Sequence, residues 1–568
     1  MIWWKRKAGF AAVGSLSVLA ALVAAGFLGL MVLRPGEVVD EPTANAAAVP
    51  AQAPDWLNQH LDKLSGGALM AVLQAKGVTE YTLAGKTITV PPRASFDPTA
   101  DTPVGTDPSI HENEPSITVN PTNPRFVVAI SHALYTGYCA VFRSTDGGLT
   151  WSFVKYLPLR FPNDWCADPV VRYSPNGAIV YAAYMSIRDV NPEPDVVELE
   201  ADIVVCRSTN NGASWCTTPV VAIPGGPGRF PDKPWIDVHR FFPGSNTNTK
   251  VYVTATVFTS TGCHIEFSRS TNGGLAWSTP TPLTPTDECF VQGSRPIGGK
   301  AVSSTVGHVL ACWYHAEEDG WWTGVFDIRC RSSGDYGVTW GPEVAAVNDM
   351  QFELTYWLGP DCNYHRWWGA MFPSIMIGPD GVAHIVYTAD LTPSDSWHGC
   401  TQDPFEDPPD PEPEYEGADE EAGDIFYVRS HGYPYDFWSF PYMVSRDNPG
   451  YAQGYATVNV KVINGVPVVF VAWLDHRGSF WTGAPNSKYG VYAAWTWPDK
   501  WGRFAHNIQI SDVDISHSDF LFIGDYIDSA TSNQANDPFV YLIWTDRSDK
   551  FSEFDFEDDV WMKKVPLP

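Results

Sequence analysis

The chain has 568 residues, which is long enough for several domains or for one large repeat architecture. Aromatic residues make up 14% of it, with 24 Trp, and Gly and Pro number 47 each. This composition is typical of many short strands joined by turns, and a net charge of −29 argues against a nucleic-acid partner, because phosphate binding needs a Lys/Arg surface.

The first predicted element is a membrane span. Three basic residues, 5–7, precede an uncharged run over residues 8–33, which Arg34 closes. A bilayer core needs about 20 apolar residues, whereas the apolar region of a signal peptide has about 7 to 15. The positive flank should stay in the cytoplasm. We therefore expect residues 1–34 to anchor the chain in the cell membrane with the rest outside the cytoplasm; secretion after cleavage near residues 44–48 is the alternative.

Between the anchor and the repeats, the sequence predicts a spacer. Residues 35–54 are rich in Ala and Pro, as linkers are. Residues 55–109 predict a short amphipathic helix over 55–76 and a strand near 86–91. The large domain should then occupy residues 110–568.

Four octamers in this large domain share one pattern. They begin with Ser, carry Asp or Asn at the third position and Gly at the fifth, and end with Trp. The paired third and last positions are Asp146 and Trp151, Asn210 and Trp215, Asn272 and Trp277, and Asp335 and Trp340. The Trp residues recur at intervals of 64, 62 and 63, so the octamers mark an internal repeat.

The octamer has the chemistry of a hairpin turn. A short Asp or Asn side chain can accept hydrogen bonds from nearby backbone N–H groups. The Gly two positions later supplies a positive φ, and the closing Trp covers the turn. These polar residues are therefore predicted to be structural.

The octamers resemble the Asp-box, or bacterial neuraminidase repeat, of sialidases and related propellers. The resemblance implies an all-β fold, a β-propeller of four-stranded antiparallel blades in which each box joins the third strand to the fourth. Counting strands and turns between residues 110 and 568 gives seven blades; six, the sialidase number, is the alternative. The last unit stops after its third strand, so the strand near 86–91 is predicted to complete it.

An acidic insertion interrupts the period. Residues 403–423 contain ten acidic side chains and no basic one, so a solvated loop is predicted there. We predict no cofactor, with a structural Ca²⁺ in this loop as the alternative.

Ten cysteines fit an oxidising compartment, and no CxxC pair suggests a metal site. Their order favours local disulfides. The predicted pairs are Cys139–Cys166, Cys206–Cys216, Cys263–Cys289, Cys312–Cys330 and Cys362–Cys400.

In a propeller, the starts of first strands and the ends of second strands share one face, which we expect to bind ligand. The sialidase resemblance implies three Arg for a substrate carboxylate, a Tyr nucleophile activated by a Glu, and an Asp acid/base. The candidate catalytic residues are Tyr526, Glu317 and Asp232. The candidate substrate-binding residues are Arg172, Arg295, Arg366, Glu114, Asp168 and Trp368. The first blade departs from the family, since Glu114 stands where an Arg is expected.

Two functions from different classes follow. The first is an exo-acting glycoside hydrolase on acidic, sialic-acid-type glycans. The alternative is a non-catalytic propeller that binds a glycan or a surface protein. A lyase or another polysaccharide hydrolase on the same scaffold is a third possibility, and three histidines, His132, His315 and His476, leave room for a metal although their spacing is not diagnostic.

Overall fold

The fold was analysed in a computed structural model. It describes residues 72–73, 80–83, 86–89, 112–133, 136–190, 199–239, 248–287, 291–300, 307–316, 324–352, 356–358, 364–366, 372–389, 424–445, 453–475, 477, 488–497, 503–511, 515–516, 524–546 and 559–568. Within these residues, no helix is both long and apolar enough to cross a membrane. The predicted anchor, the linker and the acidic insertion lie outside the described residues.

Seven antiparallel sheets follow one another along the chain, and we number them as blades 1 to 7. Blades 1 to 4 each have four strands. Blade 1 contains Glu112–Val119, Val127–Ala133, Tyr138–Ser144 and Ser152–Tyr156. Blade 2 contains Trp165–Tyr173, Val180–Asp189, Leu199–Ser208 and Val220–Ile223. Blade 3 contains Arg229–Val238, Val251–Thr259, Gly262–Ser270 and Thr281–Pro282. Blade 4 contains Val291–Lys300, Gly307–Ala316, Gly324–Ser333 and Val344–Phe352.

The remaining blades are less regular. Blade 5 contains Ser374–Ile377, Ala383–Ala389, Asp424–Arg429 and Tyr442–Met443. Blade 6 contains Gln453–Ile463, Val466–Asp475, Lys488–Thr496 and Ile508–Gln509, with Ile515–Ser516 also paired to its third strand. Blade 7 contains Asp528–Ala530, Phe539–Asp546 and Asp559–Pro566. A short hairpin, Tyr356–Leu358 with Tyr364–Arg366, lies between blades 4 and 5.

First strands of successive blades contact one another in a closed cycle, from blade 1 round to blade 7 and back. This arrangement is a seven-bladed propeller, so the predicted fold class is confirmed and the six-bladed alternative is wrong. Second strands such as Val127–Ala133 are buried along their whole length, because neighbouring blades cover both faces of each sheet.

The ring closes differently from the prediction. The segment Lys86–Thr89 is a strand, but it pairs with Glu80–Leu83, and blade 7 has three strands among the described residues. Contacts between blades 7 and 1 include a hydrogen bond from Ser116 Oγ to Asp528 Oδ2 at 2.7 Å. Of the predicted helix over 55–76, only Val72 and Leu73 are described, and both are buried in the cluster that includes blades 2 and 3.

Each octamer joins the third and fourth strands of its blade, as predicted. In blade 1, Asp146 Oδ1 accepts hydrogen bonds from the backbone N–H groups of Leu149 and Thr150, both at 3.0 Å. Ser144 Oγ accepts another from Gly148 N at 2.8 Å. The glycines at the fifth position have positive φ in all four turns, namely Gly148, Gly212, Gly274 and Gly337.

Three of the five predicted disulfides are confirmed. Cys139–Cys166 joins blade 1 to blade 2, Cys206–Cys216 lies at the end of blade 2's third strand, and Cys312–Cys330 joins the second and third strands of blade 4. Cys263 is buried, and its predicted partner Cys289 lies outside the described residues. Cys362 and Cys400 also lie outside them, so the last two pairs stay predictions.

Candidate functional site: a charged cluster on the propeller axis

The first strands of blades 1, 2 and 3 share an irregularity. In each, the pairing with the second strand skips two residues near the strand's start. One residue of each skip has a left-handed backbone, with φ of 51° at Glu114, 50° at Asp168 and 53° at Lys233. Such values are uncommon outside glycine and cost about 1 to 3 kcal/mol each. The surrounding structure therefore holds three charged residues in a strained conformation.

These three side chains meet on the axis. Lys233 Nζ donates hydrogen bonds to Asp168 Oδ1 at 2.9 Å and to Asp525 Oδ2 at 3.0 Å. Glu114 Oε2 accepts a hydrogen bond from Asp168 N at 3.2 Å. Carboxylate oxygens of Glu114, Asp168 and Asp525 all lie within 4.8 Å of one another. We call these four residues the axial cage.

Burial and mutual charge set the protonation of the axial cage. Burial raises the pKa of Glu114 well above its usual value, and the negative charge of Asp168 raises it further. Burial alone would lower the pKa of Lys233, but the three carboxyl groups outweigh it and hold that pKa above its ordinary value. Lys233 is therefore a permanent cation among three acids.

His132, on the second strand of blade 1, faces the axial cage. Its Nδ1 lies 3.7 Å from Glu114 Oε2. Burial lowers the pKa of His132 to about 3, so the imidazole is neutral at physiological pH. Neither His132 Nδ1 nor Glu114 Oε1 has a hydrogen-bond partner among the described residues, although both atoms are buried. Buried polar atoms of this kind are rare and need an explanation.

Trp235 lies two residues beyond the strained Lys233, and two guanidinium groups pack on it. Arg295 Cζ is 3.6 Å and Arg172 Cζ is 5.2 Å from the centre of the Trp235 ring. Arg295 Nη1 also donates to Ser374 Oγ at 2.8 Å. Burial lowers the pKa of Arg295 to about 9, so it stays charged at neutral pH. Residues from blades 2, 3 and 4 thus meet at one indole ring, and Ser374 of blade 5 holds Arg295 there.

Arg172 has a carboxylate partner on blade 7. Its Nη1 donates to Asp528 Oδ2 at 2.7 Å and its Nη2 to Asp528 Oδ1 at 3.1 Å, the two-pronged geometry that guanidinium groups favour. Ser116 Oγ donates to the same carboxylate. The side chain of Arg172 remains 16% exposed. The guanidinium of Arg172 is therefore already paired with a carboxylate of the protein itself.

Tyr526 completes the cluster. Its ring lies edge-on to Trp235, with centroids 5.4 Å apart, and Lys233 Nζ is 4.3 Å from its centre. Its hydroxyl donates to the carbonyl oxygen of Pro169 at 2.9 Å, and the residue is 4% exposed. Burial and the neighbouring carboxylates raise the pKa of Tyr526 well above its usual value.

The structure brings together five of the nine candidate site residues: Glu114, Asp168, Arg172, Arg295 and Tyr526. Asp232 is buried and accepts a hydrogen bond from Gln292 Nε2 at 2.9 Å, an interaction that involves none of these five. Arg366 belongs to the hairpin before blade 5, and its side chain is not described. Glu317 and Trp368 lie outside the described residues, so their roles stay predictions.

The sequence indicates that Lys233 and Asp525 lie on the ligand-binding face, but neither is among the nine candidate site residues, and Trp235 and Asp528 are not indicated at all. One signal could have selected Lys233. Each strained residue stands directly before a proline at the start of a first strand, and the three dipeptides are Glu114–Pro115, Asp168–Pro169 and Lys233–Pro234. No comparable pattern precedes Asp525, and the Lys233 to which it bonds lies 292 residues away in the chain.

No protein-family model and no curated protein matches this sequence. Solved structures with a related fold include a protein of unknown function from Dyadobacter fermentans, with 11% identity, a TM-score of 0.41, and coverage of 83% of this chain and 99% of that one. An intramolecular trans-sialidase from Ruminococcus gnavus has 12% identity, a TM-score of 0.38, and coverage of 84% and 99%.

A sialidase from Trypanosoma rangeli has 13% identity and a TM-score of 0.37, with coverage of 82% of this chain and 58% of that one. Similarities this distant carry no argument about activity.

Proposed function

We propose that the protein is an extracytoplasmic glycoside hydrolase that acts on acidic glycans of the sialic-acid type. One observation supports this most. Arg172 and Arg295, from different blades, pack on the same Trp235 ring that Tyr526 contacts edge-on. Arginines that converge beside a tyrosine are the arrangement that the sialidase resemblance of the octamers implies.

The chemistry explains why these residue types belong together. A sialic-acid-type sugar carries a carboxylate next to its anomeric carbon, and guanidinium forks bind carboxylates in a defined orientation. A neutral tyrosine hydroxyl can approach that carbon with less repulsion than a carboxylate nucleophile would meet. In this proposal Arg172 and Arg295 bind the substrate carboxylate and Tyr526 is the nucleophile. Substrate binding then requires the Arg172 guanidinium to leave Asp528, and access to Tyr526 requires its hydroxyl to leave Pro169.

The burial of Tyr526 favours a second candidate, a propeller that binds glycan or protein without turnover. A tyrosine that is 4% exposed and whose hydroxyl bonds to a backbone carbonyl is well suited to holding blades 7 and 2 together. Both candidates place the protein in an oxidising compartment, which the three disulfides support.

Hydrolysis of acidic glycosides by the full chain separates the two candidates. We expect release of sugar from a panel of sialylated and other acidic glycans, and loss of that activity in Tyr526→Phe. Tyr442→Phe, which removes a hydroxyl from the outer strand of blade 5, is the matched control and should retain it. Binding on a glycan array without turnover would select the second candidate, and neither binding nor turnover would reject both.

A further inference from the structure

Blade 7 has an open outer edge. Its third strand, Asp559–Pro566, is outermost, whereas blades 1 to 6 each have a fourth strand outside the third. This strand pairs with Phe539–Asp546 over eight residues without a register shift, and no strand in the described part of the chain pairs with its other side. Edge strands present unpaired N–H and C=O groups, which are a template for pairing with another chain unless the edge is short, bulged or covered.

No other outer strand in the described ranges combines this length with this regularity. The fourth strands of blades 2, 3, 5 and 6 have four residues or fewer. Ser152–Tyr156 of blade 1 has five residues, and its pairing shifts register once. Val344–Phe352 of blade 4 has nine residues, but its pairing shifts twice. Such irregularities discourage pairing between edges, so blade 7 has the edge best suited to receive a further strand.

The pairing with the second strand decides which backbone groups of the edge point outward. Leu567 N donates to the carbonyl oxygen of Pro538 at 2.9 Å, just beyond the last pair of the two strands. In an antiparallel pair, hydrogen-bonded residues alternate with residues whose N–H and C=O groups point the other way. Counting back from Leu567, the odd-numbered residues of the edge bond to the second strand. The groups that point away from the blade belong to Val560, Met562 and Lys564. Pro566 is the next residue in this series, and a proline without an N–H is typical of that position on an edge strand.

The charges along this edge are complementary to the same charges read backwards. Asp559 precedes Trp561 by two residues and Lys563 follows it by two, and Asp558 and Lys564 extend the pattern by one residue on each side. Two antiparallel copies centred on Trp561 therefore set Asp559 of each copy opposite Lys563 of the other. Opposite charges that face each other across an antiparallel pair are favourable, whereas like charges are unfavourable. The charge pattern therefore favours this register over shifted ones.

We propose that the edge strand Asp559–Pro566 binds a second copy of this chain, antiparallel, around a twofold axis that passes between the two Trp561 residues. The register that pairs the charges also sets Val560 opposite Met562 of the second copy. Both residues have outward-pointing backbone groups, so one register completes the hydrogen bonds and matches the charges. The two three-stranded blades then form one continuous sheet. This dimer is independent of the proposed hydrolase, because it requires no glycan and no residue of the candidate site.

Trp561 gives the interface an apolar centre. The residue is 48% exposed, and in the dimer it lies directly opposite the second copy's Trp561. The two residues form a non-hydrogen-bonded pair, in which opposite Cβ atoms lie about 4.5 to 5.5 Å apart and aromatic side chains pack on each other. The second copy therefore covers a large apolar side chain that one copy leaves in water.

The two lysines of the edge differ in their contacts within one copy. Lys564 Nζ lies 3.1 Å from Asp537 Oδ1 of its own blade. Lys563 Nζ donates to the carbonyl oxygen of Ile510, beside the outer strand of blade 6, at 2.7 Å. Lys563 is the better site for a charge reversal, because Lys564→Asp would place a carboxylate beside that of Asp537.

Sedimentation equilibrium of the full chain, in a detergent matched to the density of the solvent, measures the association. We expect a mean mass that rises with protein concentration towards that of two chains. Asp559→Lys and Lys563→Asp should each raise the dissociation constant of the dimer at least about tenfold, because each sets like charges opposite one another on both sides of the axis. The double variant restores opposite charges in reverse order and should recover most of the lost affinity. Lys155→Asp makes the same charge change on the outer strand of blade 1 and should associate as the wild type does.

A cysteine at the twofold axis tests the register without changing any charge. Trp561→Cys should form a disulfide with the second copy, seen as a band of twice the mass on a non-reducing gel, because the two Cβ atoms are close enough to be bridged. Val466, in blade 6, is 42% exposed, so Val466→Cys is the matched control and should run as a single chain.

Three results would overturn the proposal. A wild-type chain that stays monomeric at every concentration would mean that the lysines protect the edge from pairing. Association that is lost in the single variants and not recovered in a folded double variant would mean that Asp559 and Lys563 do not face each other. A dimer that neither charge reversal weakens, or that Trp561→Cys does not cross-link, would place the interface elsewhere, for example at the predicted membrane span. Circular dichroism establishes that each variant is folded.

Discussion

The two ends of the blades hold their polar side chains in different ways. The octamer turns lie at the end where the second strand begins, since Ser144 pairs with Val127. The axial cage lies at the other end, where His132 pairs with Asn113 next to Glu114. In every turn the Asp or Asn side chain accepts a hydrogen bond from a backbone N–H group of the same octamer, whereas the cage gathers charges from blades 1, 2, 3 and 7.

The two regions differ in how far apart in the sequence their bonded residues lie. Asp335 bonds to N–H groups three and four residues away, but Lys233 reaches Asp168 across 65 residues and Asp525 across 292. An octamer turn is stabilised by bonds within its own short segment, so it can lie exposed on the surface. The axial cage is assembled from four blades and exists only while the whole ring is closed. The charged groups of the cage therefore stabilise one another much more strongly than the polar groups of a turn do.

The largest expected effect follows from Lys233→Met. This change leaves Asp168 and Asp525 buried without their cation, and breaking a buried ion pair in this way costs about 3 to 5 kcal/mol. Urea unfolding should show that loss in the free energy of unfolding. Lys155→Met, on the outer strand of blade 1, is the matched control and should change it by less than about 0.5 kcal/mol. A loss below about 1 kcal/mol in Lys233→Met would mean that the carboxylates do not depend on the ammonium.

The same contrast explains what the sequence could predict. The seven blades, the octamer turns and three disulfides follow from local patterns, because a repeated turn or a short loop between cysteines depends on neighbours in the chain. The candidate residues Glu114 and Asp168 were found because they stand at strand starts. Lys233 and Asp525 were not chosen, because their pairing depends on how far the ring turns between blade 3 and blade 7. The sequence spacing does not encode that geometry.

A middle-sized effect should come from Gly337→Ala in the blade 4 turn. Gly337 has a φ of 79°, and a Cβ there would lie 2.5 Å from Phe267 Cε1 of blade 3. Backbone strain and this clash together should lower the free energy of unfolding by about 2 to 3 kcal/mol. Gly465→Ala is the control, with a φ of 82° and no atom within 4 Å of the new Cβ, and should cost only about 1 kcal/mol. Equal losses of unfolding free energy in the two variants would show that the turns do not pack closely against the neighbouring blade.

The smallest effect is a pH dependence at Asp335 in the same turn. Slight burial raises the pKa of Asp335, but hydrogen bonds from Thr339, Ser333 and Val338 outweigh it and lower the pKa to about 2. Because the folded pKa lies below the unfolded value, the ionised carboxylate stabilises the fold above about pH 4, and that stability is lost as the pH falls towards 2. Solvent screening keeps the contribution under about 1 kcal/mol.

Asp335→Asn tests this dependence with little change in shape, since Asn occupies the same position in the turns of blades 2 and 3. There Asn210 Oδ1 accepts from Ser214 N at 2.9 Å, and Asn272 Oδ1 accepts from Ala276 N at the same distance. Urea unfolding at pH 5 should show the wild type slightly more stable than the variant. The difference should shrink by pH 3, because only the wild type loses a charge. A difference in stability that is constant with pH would mean that the turn needs the shape of the Asp335 side chain and not its charge. The turns would then differ still more from the axial cage, whose side chains are held by charge.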